Sequence, residues 1–282
     1  MNVFHSQSQL TQHLNPLRLL GKSIGFVPTM GAIHLGHLSL LEQALKENQV
    51  VVISIFVNPT QFNNSEDLEK YPRTLERDTE QIQRLSDQII IYAPDVDDIY
   101  EGNTVAQRFN YDGLEMEMEG ANRPGHFDGV GTIVKKLFEI VKPVRAYFGE
   151  KDFQQLLIVR KMVHKNKMDV QVIGCPVFRE ENGLAMSSRN ERLSEAGRQK
   201  AAFIYKVLTE AKNRFQHSDL SEVLLFVSTS FANDPYFTLE YFIIADEDSL
   251  ESATKKEEGK KYRGFIVVHL ENVRLIDNIA FN

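Results

Sequence analysis

The sequence predicts an α/β protein, a parallel-sheet domain followed by a smaller α/β C-terminal domain, and three observations carry that prediction. Short apolar runs at 24–27, 89–92 and 146–148 are each followed by loop residues and a helical pattern, the alternation that builds a parallel sheet. The run at 50–57, VVVISIFV, is β-branched and almost continuously apolar, as a strand covered on both faces must be. Beyond Leu193 the order changes, with two helical stretches preceding three strand-like runs.

In chain order, the run at 24–27 ends at Pro28, and LSLLEQALKEN from Leu38 has helical spacing, so a first strand passes through a loop into a first helix. The strand at 50–57 is bounded by Asn58 and Pro59. A polar loop follows, then a helix over 75–85. The runs at 89–92 and 146–148 continue the sheet, the latter leading into FQQLLIVRKMVHK, a helix, and 170–177 closes the series. Between them GANRPGHFDGVG, residues 120–131, holds four Gly and a Pro in twelve residues and reads as an irregular loop. Helices at 194–213 and 219–232, then strands at 237–244, 264–270 and 273–276, form the second domain, whose boundary falls near 176–190. The charged run KKEEGKK at 255–261 reads as a solvated hairpin or loop.

Composition narrows the function classes. The chain has 282 residues, with 32 Lys and Arg against 39 Asp and Glu, a net charge of −7, which argues against a general affinity for nucleic acid or anionic membranes. Any phosphate must be gripped locally. No apolar run approaches the roughly 20 residues of a membrane span, and the N-terminus lacks a secretory pattern. One cysteine, Cys175, cannot form an intramolecular disulfide, and a reducing cytoplasm fits it.

Four loops carry residues suited to chemistry. Pro28-Thr29-Met30-Gly31-Ala32-Ile33-His34-Leu35-Gly36-His37 joins the first strand to the first helix, at the sheet edge where ligands bind and where a helix N-terminus favours phosphate. His34 and His37, three apart, share one helical face and suit a phosphate whose charge grows in a transition state; capping or surface roles are the alternative. Leu184-Ala185-Met186-Ser187-Ser188-Arg189-Asn190 offers two hydroxyls and a guanidinium to pyrophosphate, or a helix cap. Gly149-Glu150-Lys151-Asp152-Phe153-Gln154-Gln155 repeats the strand-to-helix arrangement, with Lys151 as a point charge and Gln155 one turn on. Asn58-Pro59-Thr60-Gln61-Phe62 presents the neutral Gln61, suited to a hydroxy acid. Neither G-x-G-x-x-G nor G-x-x-x-x-G-K-[ST] is present, so the usual dinucleotide and P-loop fingerprints are missing.

The histidine loop resembles the HIGH signature of nucleotidyl-transferring α/β enzymes. Taken together with SIFVNPTQF, YPRT at 71–74, EGANRPGHFDGV, YFGEKDFQQL, GLAMSSRN and the terminal RLIDN, it resembles the pantoate–β-alanine ligase family in order over nearly the whole chain. That resemblance implies a Rossmann-like domain binding ATP and pantoate over 1–176 and a smaller α/β domain over 177–282 closing over the active site. It implies ATP-dependent condensation of (R)-pantoate with β-alanine to pantothenate through pantoyl adenylate, releasing AMP and pyrophosphate. By similarity, Met30, Gly31, Ala32, Ile33, His34, Leu35, Gly36 and His37 line ATP with Gly149, Glu150, Lys151, Asp152, Met186, Ser187, Ser188 and Arg189. His37, His34, Lys151 and Arg189 are the catalytic group; Gln61 and Gln155 hold pantoate, and Gln61 also meets β-alanine.

The same resemblance places a magnesium-associated carboxylate at Asp78 and implies Mg²⁺ with the ATP substrate, a homodimer, a cytoplasmic location, and neither nucleic acid nor membrane as partner. Arg123 and His126 match the family pattern as substrate or lid contacts. Leu35 departs from it, standing where an acidic or polar residue is frequent. Two other readings are weighed: another nucleotidyltransferase of the same superfamily, and a non-catalytic pantoate- or nucleotide-binding protein.

Overall fold

A computed structural model describes residues 2–62, 68–69 and 71–281; positions 63–67 and 70 of the polar loop before the helix at 75–85 lie outside the described residues. The chain packs as two compact units. One runs to Glu150 and resumes over Gln154–Pro176, and the other comprises Lys151–Phe153 and the chain from Val177 onward. The division therefore departs from a single cut near 176, because three residues of the GEKDF loop pack with the C-terminal unit.

The first unit is built on six parallel strands: β1 (Val3–Phe4), β2 (Ile24–Thr29), β3 (Val50–Ile55), β4 (Ile90–Tyr92), β5 (Arg145–Gly149) and β6 (Gln171–Cys175), in the order β1-β4-β3-β2-β5-β6. The β-branched run of β3 lies inside the sheet, with residues 51–53 buried on alternating faces. Helices cover both sides, because crossovers of one hand that run in opposite directions across the sheet fall on opposite faces. On one face Val27, Ile53, Ile91 and Tyr147 pack against Leu41 and Ala44 of the helix Leu35–Glu47 and Ile82 of the helix Leu75–Leu85. On the other, Phe26 meets Phe138 of the helix His126–Val141 at 6.1 Å, and Phe148 meets the same ring at 6.4 Å. The strand period of two sends Phe26 and Val27 to opposite faces.

From β2 the chain moves outward through β3 to β4, and after β5 it moves the other way to β6. The switch point lies between β2 and β5, and the loops leaving their carboxyl ends diverge there, opening the crevice in which such sheets bind ligands. Those loops begin at Met30 and Glu150.

Residues 120–131 are not an irregular loop. Met118–Asn122 is a short helix, and His126–Val141 starts a long one after Gly125, whose φ of 81° makes the turn. The helical glycines serve close packing: a Cβ at Gly129 would lie 2.3 Å from the Thr60 carbonyl oxygen, and one at Gly131 would lie 2.1 Å from the Tyr111 hydroxyl. Glycine content thus marks close approach within a helix rather than chain irregularity. The N-terminal helix Gln7–Leu19, capped by Ser6, has no counterpart in the sequence-based expectations.

The second unit is an antiparallel sheet, β7 (Phe237–Asp246), β8 (Tyr262–Leu270) and β9 (Val273–Ala280), with the helices Glu195–Phe215 and Leu220–Ala232 packed on it. Ser194 caps the first of these, accepting from Gly197 N–H at 2.9 Å. Phe203, Phe231 and Phe237 form a ring cluster at its centre, with centroids 5.4 to 5.7 Å apart. The charged run at 255–261 is exposed between β7 and β8, apart from the partly buried Lys256 bond to Phe215 O. Among the described residues no helix is long and apolar enough to cross a membrane.

Candidate active site

In the first unit the histidine loop is shaped by its neighbours more than by its own chain. His34 opens the helix Leu35–Glu47, its carbonyl accepting from His37 N–H at 2.9 Å and Leu38 N–H at 3.1 Å. With His34 at the extended N-cap, φ −140° and ψ 174°, and His37 in the first turn, the two rings stack at 4.0 Å, 21° apart. The backbone N–H groups of Leu35 and Gly36 lie in the first turn, where no upstream carbonyl of the helix can accept them. Leu35 projects outward, 57% exposed.

Before that turn the backbone is strained. Gly31 has φ 87° and Ala32 has φ 50°, a conformation that alanine takes only under constraint. Asp78 supplies it: Oδ2 accepts from Ala32 N–H at 3.0 Å, and Oδ1 from Ile33 N–H at 2.8 Å and the Thr74 hydroxyl at 3.1 Å. One turn further on, the Gln81 amide, oriented to satisfy its neighbours, donates to Ile33 O at 2.8 Å. The helix Leu75–Leu85 therefore grips Ile33 by both backbone groups. Thr74, the last residue of YPRT, belongs to this clasp, a role the sequence did not reveal.

The same bonds bear on the metal role that the family resemblance implies for Asp78. The carboxylate is 1% exposed and both oxygens are engaged by N–H and O–H donors, whereas a magnesium ligand needs an oxygen turned to the ion and other hard donors around it. Among the described residues no group of three or more His, Cys, Asp or Glu could hold a metal. The residues here do not fit a resident magnesium ion.

Gln61 ends a 3₁₀ turn, Pro59–Gln61, directly after β3. Its side chain reaches Met30 Sδ, and its Oε1 accepts from Asn58 Nδ2 at 3.2 Å, so the NPTQF motif and the histidine loop meet. The turn is fixed from below. Tyr100 O–H donates to Asn58 Oδ1 at 2.6 Å, and Asn58 Nδ2 also donates to Gly129 O at 3.1 Å. Burial pushes the Tyr100 phenol up, with its bonds to Thr60 and Asn58 opposing, so it remains a donor. His126 Nδ1 contacts Gln61 O at 2.9 Å, and Arg123 donates to the same carbonyl at 3.4 Å. Both residues thereby brace the Gln61 main chain. Sequence reasoning misses Asn58 and Tyr100 as site supports; only the position of Asn58 in the motif points to it.

In QQ at 154–155, Gln154 is buried and occupied: its Nε2 donates to Leu114 O and Glu117 O, both at 2.8 Å, and its Oε1 accepts from Glu119 N–H at 3.1 Å. Gln155, next in the same helix, Phe153–Lys165, is half-buried.

In the second unit Lys151, Ser187 and Arg189 line one cavity, together with Asn190 and Asp277. Lys151 Nζ pairs with Asp152 at 3.2 Å. Ser187 caps the 3₁₀ turn Ser188–Arg192 by accepting from Arg189 N–H at 3.2 Å. Buried Asn190 ties that turn to Glu180 Oε1 at 2.8 Å and Ala185 O at 3.0 Å. Met186 N–H donates to Phe178 O at 2.9 Å. Ser187 thus acts as a cap, and with Arg189 it also lines the cavity. Gly149 and Glu150 remain with the parallel sheet, while Lys151 and Asp152 go with the second unit.

Comparison with known proteins agrees over the whole length. The family model described as pantoate-beta-alanine ligase matches residues 2–280. The chain is 59% identical over 280 residues to the pantothenate synthetase of Flavobacterium psychrophilum, covering 99% of each, and 50% identical over 282 residues to that of Christiangramia forsetii, covering 100% of each. The crystal structure of pantothenate synthetase from Thermus thermophilus superposes with a TM-score of 0.90 at 40% identity, over 100% of this chain and 99% of that one. A pantoate-beta-alanine ligase from Francisella tularensis, complexed with beta-gamma ATP and beta-alanine, matches with a TM-score of 0.81 at 34% identity, over 100% and 98% of the two chains.

Proposed function

The chain belongs to the pantoate–β-alanine ligase family, and on that premise we infer that it joins pantoate to β-alanine at the expense of ATP, making pantothenate. The observation that carries the reading beyond membership is the stacked His34–His37 pair at the N-terminus of the helix that follows the carboxyl end of β2, His34 as its N-cap and His37 in its first turn.

A carboxylate does not condense with an amine unaided, because oxide is too poor a leaving group. In the proposed course the pantoate carboxylate attacks the α-phosphorus of ATP, pyrophosphate leaves, and the β-alanine amine then attacks the acyl carbon of pantoyl adenylate and expels AMP. Charge builds on the phosphate oxygens in the first step, and preorganised donors are worth most there. His34 and His37 supply ring N–H groups, Leu35 and Gly36 the helix-terminal N–H groups, and Lys151 and Arg189 positive charge for the departing pyrophosphate. Met30 to Ala32 and Met186 to Ser188 line the nucleotide, with Gly149, Glu150 and Asp152. Gln61 and Gln155 bind pantoate, and Gln61 also meets β-alanine. As neutral amides they hold the acid without an ion pair that would blunt its nucleophilicity.

Magnesium enters as part of the substrate, carried on the phosphate oxygens of ATP, since the donors around Asp78 do not fit a resident ion. The homodimer implied by the family resemblance and a reducing cytoplasm complete the proposal, the latter supported by the single buried thiol of Cys175.

The test supplies ATP, Mg²⁺ and pantoate with and without β-alanine. One pyrophosphate per active site without β-alanine, and continuous AMP and pantothenate with it, is the expected result. Pyrophosphate release independent of pantoate, or AMP without amide, overturns the reading.

A further inference from the structure

We propose that Asn278 is the positioning residue of Lys151, fixing the main chain from which that ammonium reaches the nucleotide phosphates; the proposal rests on the phosphate role given to Lys151 above. Lys151–Phe153 follow β5 in sequence yet pack with the C-terminal unit, and the β8–β9 hairpin holds them there. On β9, Asn278 is 2% exposed and its Nδ2 donates to Lys151 O at 2.8 Å. Its Oδ1 accepts from Arg263 Nη1 at 2.6 Å. A carboxamide is the group of this length that donates on one side and accepts on the other, so neither aspartate nor leucine replaces it.

Arg263 closes the grip from the opposite end. Its guanidinium lies over the Phe153 ring at 3.9 Å, while Nε pairs with Glu247 at 2.9 Å. Phe153 also meets Phe265, the cross-strand partner of Asn278, at 6.0 Å. Behind Asn278, its own N–H donates to Asp277 Oδ1 at 2.7 Å, and Asp277 takes a two-pronged pair from Arg179 at 2.7 and 3.0 Å. The three-residue segment is thus held at the Lys151 carbonyl and at the Phe153 ring, both by way of Arg263. Lys151 carries its point charge on a stem of fixed length, so the position of its main chain sets the region which that charge can reach. A misplacement of about 1 Å costs on the order of 100-fold in rate.

The experiment measures steady-state kinetics and melting temperature for Asn278→Ala and Asn278→Asp, each alone and in a Lys151→Ala background. Asn278→Asp keeps an acceptor for Arg263 and sets a carboxylate oxygen against the Lys151 carbonyl in place of the donor, so it decides the matter if Asn278→Ala melts below the assay temperature. The expected result is a fall in kcat of roughly 10- to 100-fold, a pantoate KM within about twofold, and no further loss once Lys151 is Ala, since coupled residues are not additive. Unchanged kcat in a folded Asn278 variant, or the same fold loss with and without Lys151, overturns it. A Lys151→Ala enzyme of normal kcat overturns instead the phosphate role beneath it.

Discussion

Asp78 and Ile33 are joined by a 2.8 Å hydrogen bond from the Ile33 N–H to the carboxylate Oδ1, across 45 residues of sequence. With the companion bond from Ala32 and the Thr74 hydroxyl, it holds a non-glycine residue at φ 50° shortly before the two histidines. The loop's conformation is therefore stored in another helix.

Asp78→Asn tests that assignment. The amide keeps one acceptor oxygen and turns an NH₂ toward a backbone N–H, leaving buried donors unsatisfied at about 1–3 kcal/mol. A melting temperature lower by several degrees and turnover lower by at least about tenfold are expected, unchanged by added magnesium. Full recovery at high magnesium would make Asp78 a metal ligand after all.

His37→Ala and His34→Ala each remove a ring N–H donor that the proposed mechanism gives to the phosphates, a loss typically worth ~100-fold in kcat. Because the rings stack at 4.0 Å, the double variant is expected to lose less than the product of the single losses. Near-normal kcat in both single variants refutes the role given to the pair.

Gly129→Ala sets two effects against each other. Alanine is the better helix former by about 1 kcal/mol, but its Cβ would lie 2.3 Å from Thr60 O and 2.7 Å from Gln61 Cα. Those neighbours are main-chain atoms braced by Asn58 and Tyr100, so overpacking of about 1–3 kcal/mol prevails. The expected variant melts lower and shows a raised pantoate KM with a smaller change in kcat. A stabilised variant would mean the 59–61 turn is free to shift.

Cys175 should be inert in the native protein. Burial pushes its thiol up from 9.0 to about 11, with Glu47 and Glu150 adding to the effect, so the thiolate that alkylation requires is scarce at pH 8. The folded state binds this proton more tightly than the unfolded one. Its contribution to stability is full below pH 9 and is lost as pH rises through about 11. Iodoacetamide labelling, native against urea-unfolded, and melting temperature between pH 8 and 11 check both. Native labelling as fast as unfolded would contradict the burial.

Much of the sheet is legible in the sequence because its signals are local. The β-branched run of β3, the apolar run of β2, and the helical spacing of 75–85 each reflect a property of neighbouring residues. The glycine-rich 120–131 misleads for the complementary reason. Whether a glycine breaks a helix or admits a neighbour depends on what lies 2 to 3 Å away, here Thr60 and Tyr111, and that is not written within twelve residues. The anchoring role of Asp78 is hidden on the same account: on a helix it passes for a solvated carboxylate until Ala32 and Ile33 are found against it.

By itself the sequence determined the family, the strand–helix alternation over much of the sheet, and which loops hold the histidines, glutamines, Lys151 and Arg189, since motif spacing and hydrophobic period are properties of the chain. Only the tertiary structure decided that Asp78 and Gln81 hold the histidine loop, that Asn58, Tyr100 and Gly129 fix Gln61, and that Lys151 is tied to Asn278 rather than to the sheet it follows. Those are hydrogen bonds and close contacts across 45, 68 and 127 residues, and their partners become neighbours only when hydrophobic burial has brought the elements together.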